Sequence, residues 1–147
     1  MKYNFSISPY IDVSQKNKLS QNKQAGARKK PERVEGTLSC ELPKTLVKKN
    51  DIHITSKRNF DCFQDTELDM LLKRTLDVKN IIICGVNTDT CVYGTTFGAS
   101  NRGYNPIVIE CCTGSMRGED QHKTALKIMS QSIAWVMKKE EILNKLN

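Results

Sequence analysis

The sequence has 147 residues, of which 38% are hydrophobic and 6% aromatic, enough for one domain with a modest core. No apolar run approaches the roughly 20 residues of a transmembrane helix, and the N-terminus lacks a signal-peptide pattern, so we expect a cytoplasmic protein without membrane contacts. The net charge of +7 is concentrated in residues 1–35, where eight basic residues accompany three acidic ones. Aromatic residues are not interleaved with these charges, which argues against a nucleic-acid groove.

The N-terminal part carries little that could be buried. Residues 14–33 are rich in polar and basic side chains, a composition typical of a loop or a disordered segment. Phe5 and Ile7 alternate with polar residues and indicate a short strand before it. We therefore predict a basic, poorly ordered segment over residues 1–33 and a folded domain over residues 34–147.

Periodic elements follow in regular order along the predicted domain. We predict a helical piece at 41–47, strands at 51–56, 80–86, 106–110 and 135–137, and helices at 66–76, 91–101, 119–133 and 140–146. Trp135 is expected to anchor the last strand in the core. Strands that alternate with helices predict an α/β fold, a parallel sheet with helices on both faces.

Six cysteines are present, without the CxxC pairs or spacings of a zinc site. We expect reduced thiols, and we predict no metal and no cofactor. Cys111 and Cys112 are adjacent, so in a strand they would face opposite sides and serve packing. The two histidines, His53 and His122, are expected to be ordinary surface or packing residues.

Polar residues follow three of the predicted strands. They are Lys57, the segment 87–91 and the segment 111–118, and parallel strands would bring these carboxyl ends into one cleft. Cys91 would lie near a helix N-terminus, where the dipole and free N–H groups favour a thiolate and stabilise an oxyanion. Such a thiolate could attack a carbonyl carbon, although a packing cysteine fits the same spacing.

The stretch GVNTDTCV at 85–92, followed by Thr95, Ala99 and Arg102-Gly103-Tyr104, resembles the signature of the isochorismatase-like cysteine hydrolases. Lys57 with Phe63, Thr66 and Leu68 is similar to that superfamily's lysine motif, and residues 112–126 are similar to its amidase-type branch. The similarity covers about residues 34–143. It implies a three-layer α/β fold and hydrolysis of a small amide or carbamoyl C–N bond, in a family where homo-oligomers are common.

The resemblance also implies roles for individual residues. Cys91 would be the nucleophile that forms a thioester, and Lys57 would stabilise its thiolate. The backbone N–H groups of Asn87 and Cys91 would form the oxyanion hole, next to a cis peptide bond between Val86 and Asn87. Asp89 would act as a cap or loop anchor.

Three further side chains are candidates for substrate binding. Phe63 and Tyr93 could line a pocket or pack in the core. Arg117 could bind a substrate carboxylate through a bidentate contact or face solvent.

The family's general base is an aspartate at the end of the first strand, many tens of residues before the lysine. Only 56 residues precede Lys57 here, so the first strand or strands are missing or altered. Asp12 in YIDVSQ is the remaining candidate, and a surface aspartate in a loop is the alternative. The missing aspartate keeps open a catalytically impaired family member, a pseudoenzyme or a fragment, that acts as a scaffold binding a ligand or partner. A third hypothesis is a basic nucleic-acid or membrane binder that uses residues 14–33.

Overall fold

The computed structural model describes residues 5–7, 38, 41, 42 and 44–146, and the chain divides into two compact units between Asn59 and Phe60. In the first unit, strand β1 (Phe5–Ile7) pairs in parallel with strand β2 (Ile52–Ile54). Both strands agree with the sequence prediction. The expected helical piece at 41–47 is wrong, because the described residues there contain a turn at 44–46 and no helix. The predictions for Asp12 and for residues 14–33 lie outside the described residues.

The second unit alternates helices and strands. Helix α1 (Leu68–Met70) continues as a π-helical segment (Leu71–Thr75), and strand β3 (Asn80–Val86) follows it. A second π-helical turn (Thr88–Val92) leads into helix α2 (Tyr93–Asn101) and strand β4 (Asn105–Gly114). Helix α3 (Glu119–Ser132), strand β5 (Trp135–Met137) and helix α4 (Lys139–Leu146) complete the chain. No helix in the described part of the chain has the length and apolar character needed to cross a membrane.

The three strands of this unit form a parallel sheet in the order β3-β4-β5. Val108 and Ile109 are neighbours in the central strand and are 0% and 3% exposed. Because successive side chains of a strand point to opposite faces, both faces of the sheet are covered at β4. The α/β prediction of a parallel sheet with covered faces is therefore confirmed.

Strand β4 is longer than the apolar pattern predicted, since it continues through polar residues to Gly114. Its pairing with β3 is interrupted: Ile83 lies opposite Val108, but Gly85 lies opposite Thr113. One residue of β3 therefore faces four residues of β4, which is an extended bulge. The bulge carries β4 onward alongside the end of β3.

Trp135 does not anchor the core, and that prediction is wrong. The register places it in one row with Ile107 of β4 and Ile82 of β3. Trp135 is 70% exposed and Ile82 is 45% exposed. Ile107 between them is partly exposed, so this row of the sheet face is open to solvent in the described part of the chain.

The chain before α1 packs closely on α2. The Asp61 carboxylate accepts hydrogen bonds from the Phe63 N–H at 2.8 Å and from the Arg102 guanidinium at 3.3 Å. Arg102 in turn lies 4.9 Å from the centre of the Phe63 ring, and that ring stacks on Tyr104 at 5.5 Å. Gly98 permits this approach, since a Cβ there would lie 2.6 Å from Asp61 Cγ.

We expect Gly98→Ala to lower the free energy of unfolding by about 1–3 kcal/mol, because the new methyl group displaces the Asp61 carboxylate from its partners. Gly94→Ala is the matched control on the same helix, since its added Cβ meets Phe60 at an ordinary 3.4 Å. Alanine also favours a helix more than glycine does, so the control should be neutral or stabilising. Urea denaturation measures both. Equal stability of the two variants would contradict this packing.

Candidate active site

The loop after β3 places Cys91 in the first turn of a helix. Asn87 is extended (φ −93°, ψ 142°) and caps the turn, and its carbonyl accepts the N–H groups of Thr90 at 3.1 Å and Val92 at 3.0 Å. The peptide bond between Val86 and Asn87 is cis, at the bond to which the resemblance pointed. Cys91 is partly exposed. A thiol in this position has the favourable end of a helix dipole beside it and access to solvent.

The carboxylate of Asp89 ties this loop to the end of β4. The Ser115 hydroxyl donates to Asp89 Oδ1 at 2.6 Å, and Arg117 Nη1 donates to Oδ2 at 2.7 Å. The side chain of Asp89 is only 9% exposed, whereas that of Arg117 is 59% exposed. A nearly buried carboxylate with two such donors holds the loop in one position. We call these three side chains the Asp89 clamp.

Two further contacts reinforce the Asp89 clamp. Arg117 Nη1 also donates to Thr90 Oγ1 at 3.2 Å, and the Met116 N–H donates to the side-chain oxygen of Asn87 at 2.9 Å. The segments after β3 and β4 therefore meet, as their positions at the carboxyl ends of parallel strands predicted.

Burial alone would raise the pKa of Asp89, but the hydrogen bonds from Ser115 and Arg117 outweigh it and lower the pKa below its ordinary value. The ionised form is the one these donors favour. Asp89 is therefore a charged anchor at neutral pH and a poor proton acceptor.

A second contact holds the loop from α3. Thr88 is fully buried, and its hydroxyl lies 2.8 Å from Nδ1 of His122. Since Thr88 follows Asn87 directly, this bond fixes the start of the turn that carries Cys91. His122 is thus bonded to the candidate site and not merely a surface or packing residue.

The other predicted site residues lie in different settings. Phe63 is 4% exposed and stacked on Tyr104, a packing environment. Tyr93 lies in the first turn of α2, partly exposed, and stacks on Phe97 with a ring separation of 6.5 Å. Lys57 belongs to the N-terminal unit and is 4% exposed, and its expected role stays a prediction. Among the described residues, no group of three or more His, Cys, Asp or Glu side chains is arranged to hold a metal ion.

The family assignment rests on a match over most of the chain. The Isochorismatase domain family matches residues 9–141. The chain belongs to the isochorismatase family. Among curated relatives, it is 33% identical over 97 residues to the isochorismatase family protein YecD of Escherichia coli, a match that covers 66% of this chain and 50% of the relative. The chain thus spans about half the length of that relative.

Solved structures of isochorismatase-like proteins have the same fold. An isochorismatase-like hydrolase from Alkaliphilus metalliredigens superposes with a TM-score of 0.81 at 22% identity, covering 97% of this chain and 72% of the other. The nicotinamidase SaPncA from Staphylococcus aureus superposes with a TM-score of 0.64 at 30% identity, covering 70% of this chain and 68% of the other. The predicted isochorismatase-like fold is confirmed.

Sequence reasoning missed most of the contacts that hold this family's signature loop in place here. Ser115 lies 26 residues beyond its partner Asp89, and His122 lies 34 residues beyond Thr88. Neither pair has a local spacing signal. The available signal was the position of Ser115 and Arg117 just past the end of a strand parallel to β3.

We expect Asp89→Asn to lower the free energy of unfolding by about 1–3 kcal/mol at neutral pH, because the amide is a weaker acceptor for two charge-assisted bonds. The pKa of Asp89 is lowered by folding, so its ionised form stabilises the protein above the ordinary carboxyl pKa of about 3.9. That contribution is lost as the pH falls through the lowered pKa of the folded protein. Urea denaturation from neutral pH to below about pH 4 should therefore show the two proteins converging.

Glu110→Gln is the matched control, an exposed carboxylate on β4. It should change stability by no more than a few tenths of a kcal/mol at any pH. A stability difference between wild type and Asp89→Asn that does not depend on pH would contradict the charged anchor.

Proposed function

We propose that this chain is a cysteine hydrolase that cleaves a small amide or carbamoyl C–N bond through a thioester on Cys91. One observation carries the proposal: a partly exposed cysteine lies in the first helical turn after a parallel strand, in a loop held from two sides. Helix N-termini favour thiolates, and the ends of parallel strands are where α/β proteins bind ligands.

The chemistry would proceed in two halves. The Cys91 thiolate attacks the carbonyl carbon, and the carbonyl oxygen becomes an oxyanion that the N–H groups of Asn87 and Cys91 stabilise. The C–N bond then breaks, and the leaving nitrogen takes up a proton and departs as an amine or ammonia. Water attacks the thioester, the acid is released, and the thiol is restored.

The Asp89 clamp would serve this chemistry by positioning. An oxyanion donor works only when it points at the place where charge develops, so the backbone from Asn87 to Cys91 must be rigid. Asp89 itself is not the general base in this proposal, because Ser115 and Arg117 occupy it and keep it ionised.

Two more roles in this proposal come from the family resemblance. Lys57 is proposed to stabilise the thiolate, and it is 4% exposed, a degree of burial that is unusual for a lysine. Asp12 is proposed as general base and acid. The family match begins at residue 9 and so includes Asp12.

The proposed substrate is a small amide or carbamoyl compound. The Staphylococcus aureus neighbour is a nicotinamidase, which makes nicotinamide a suitable first probe for this chain. Substrate contacts by Tyr93 and Arg117 stay predictions, with one guanidinium nitrogen of Arg117 already bound to Asp89. For Phe63 the buried stack on Tyr104 favours packing. A homo-oligomer also stays a prediction.

The second candidate is a scaffold without catalysis that binds a ligand or partner. It is favoured by the engagement of Asp89, because the carboxylate nearest to Cys91 in the sequence is held by Ser115 and Arg117 and is not available as a base. The two candidates differ in one measurable property, turnover that depends on Cys91.

Ammonia release from nicotinamide and from a small carbamoyl compound tests the proposal. We expect turnover in the wild type, a loss of at least about a thousandfold in Cys91→Ser, and smaller but clear losses in Lys57→Ala and Asp12→Asn. Cys111→Ser, an exposed thiol outside the loop, is the control and should retain activity. Activity that survives Cys91→Ser would contradict the proposed nucleophile, and a folded wild type without turnover on any small amide would favour the scaffold.

A further inference from the structure

Three thiols meet on the sheet, outside the loop of Cys91. Cys84 lies on β3, and Cys111 and Cys112 lie in the bulge of β4 that faces it. The sulfur atoms of Cys111 and Cys112 are 4.0 Å apart, so the expectation that they point to opposite sides is wrong. All three residues are exposed and in the thiol form.

The strand register identifies which thiols can form a bond across the sheet. Beyond the bulge, Gly85 lies opposite Thr113 and Val86 lies opposite Gly114. Continuing this register back by one residue would place Cys112 opposite Cys84, and a hydrogen bond between the two thiols agrees with that placement. Neighbouring strands lie about 4.8 Å apart, within the Cα separation of about 4.4–6.8 Å that disulfides adopt.

The adjacent pair is the less suitable one. Consecutive Cα atoms across a trans peptide are about 3.8 Å apart, which is below the usual disulfide range. A bond between Cys111 and Cys112 would therefore be strained and easily reduced, despite the short distance between their sulfur atoms.

We propose that Cys84 and Cys112 form an oxidative modification site, at which a small disulfide such as oxidised glutathione closes a disulfide bond between β3 and β4. The thiolate of Cys112 attacks one sulfur of the oxidant, and one glutathione thiolate leaves. The thiolate of Cys84 then attacks the Cys112 sulfur and displaces the second glutathione. The two protons lost by the protein thiols are taken up by the two glutathione thiolates, so the balance is complete.

The pKa values of the thiols in this cluster determine how fast the site is oxidised at a given pH. Desolvation and the Cys112 and Cys111 thiols raise the pKa of Cys84 to about 11. Desolvation and Cys111 also raise the pKa of Cys112, while Cys84 and Lys139 oppose that effect. Since only thiolates attack disulfides, oxidation is slow at neutral pH and accelerates as the pH rises. Because the raised pKa values mean that the reduced protein does not stabilise either thiolate, the equilibrium favours the disulfide once it has formed.

The position of the bond gives it a structural consequence. Cys84 lies three residues before Asn87, and Cys112 lies three residues before Ser115 of the Asp89 clamp. A covalent link at this level would hold together the two strand ends that the clamp joins by hydrogen bonds. The proposed disulfide does not depend on catalysis, because the proposed reaction does not use these thiols.

The test is incubation of the full chain with oxidised glutathione at about pH 9, where the thiolate fraction rises. Remaining thiols are blocked with N-ethylmaleimide, and the peptides are mapped without reduction. Trypsin leaves Cys84 and Cys91 together in peptide 80–102, so a second cleavage before Asp89 is needed to separate them. Cys111 and Cys112 both remain in peptide 103–117.

We expect peptide 80–88 joined to peptide 103–117, with the two hydrogens lost, and an oxidised protein whose midpoint of thermal unfolding is several degrees higher. The link should persist in Cys111→Ser and disappear in Cys112→Ser. Fragmentation between Cys111 and Cys112 makes the same assignment in the wild type if a variant fails to fold. A bond closed within peptide 103–117, glutathione adducts alone, or no oxidation would each overturn the proposal.

Discussion

The Asp89 carboxylate, held by the Ser115 hydroxyl and the Arg117 guanidinium, is the interaction on which the loop of Cys91 depends. A loop at the end of a strand has few partners of its own, since its backbone must leave the sheet. Here the nearly buried carboxylate of Asp89, which belongs to the loop, accepts hydrogen bonds from Ser115 and Arg117. Burying that charge costs free energy, and this cost is offset because each carboxylate oxygen accepts a short hydrogen bond, one from a hydroxyl and one from a guanidinium.

The sheet brings these donors to the loop. Parallel pairing places the ends of β3 and β4 side by side, and the bulge in β4 allows the longer strand to continue to Gly114. The segment after β4 therefore starts with Ser115 beside Asn87, and the Ser115 hydroxyl reaches Asp89. The buried bond between Thr88 and His122 holds the same loop from α3, so its start is fixed on a second side.

The sequence allowed most elements to be placed, because strong periodic or continuous apolar patterns such as Ile81–Ile83 leave few alternatives. It did not reveal the length of β4, since the strand continues through a bulge to the pairs formed by Thr113 and Gly114, and these residues carry no apolar pattern. Trp135 was misassigned because hydrophobicity says nothing about whether a neighbouring element covers that row of the sheet.

The candidate site could also be predicted only in part from the sequence. Cys91 and the loop at 87–91 could be located from a local motif, because motif residues are consecutive. The contacts that orient them join residues 26 to 34 positions apart, and only the strand register makes those pairs neighbours. Adjacent cysteines were likewise assigned to opposite faces from ideal strand geometry, which a bulge does not obey.

The most direct test of this account is the rate at which iodoacetamide alkylates each cysteine as a function of pH, followed by peptide mass spectrometry. If the clamped loop makes Cys91 a nucleophile, Cys91 will be alkylated faster than the exposed Cys111 below neutral pH, and this advantage will shrink in Asp89→Asn. If Cys91 reacts no faster than Cys111 at any pH, the loop does not activate its cysteine and the account is contradicted.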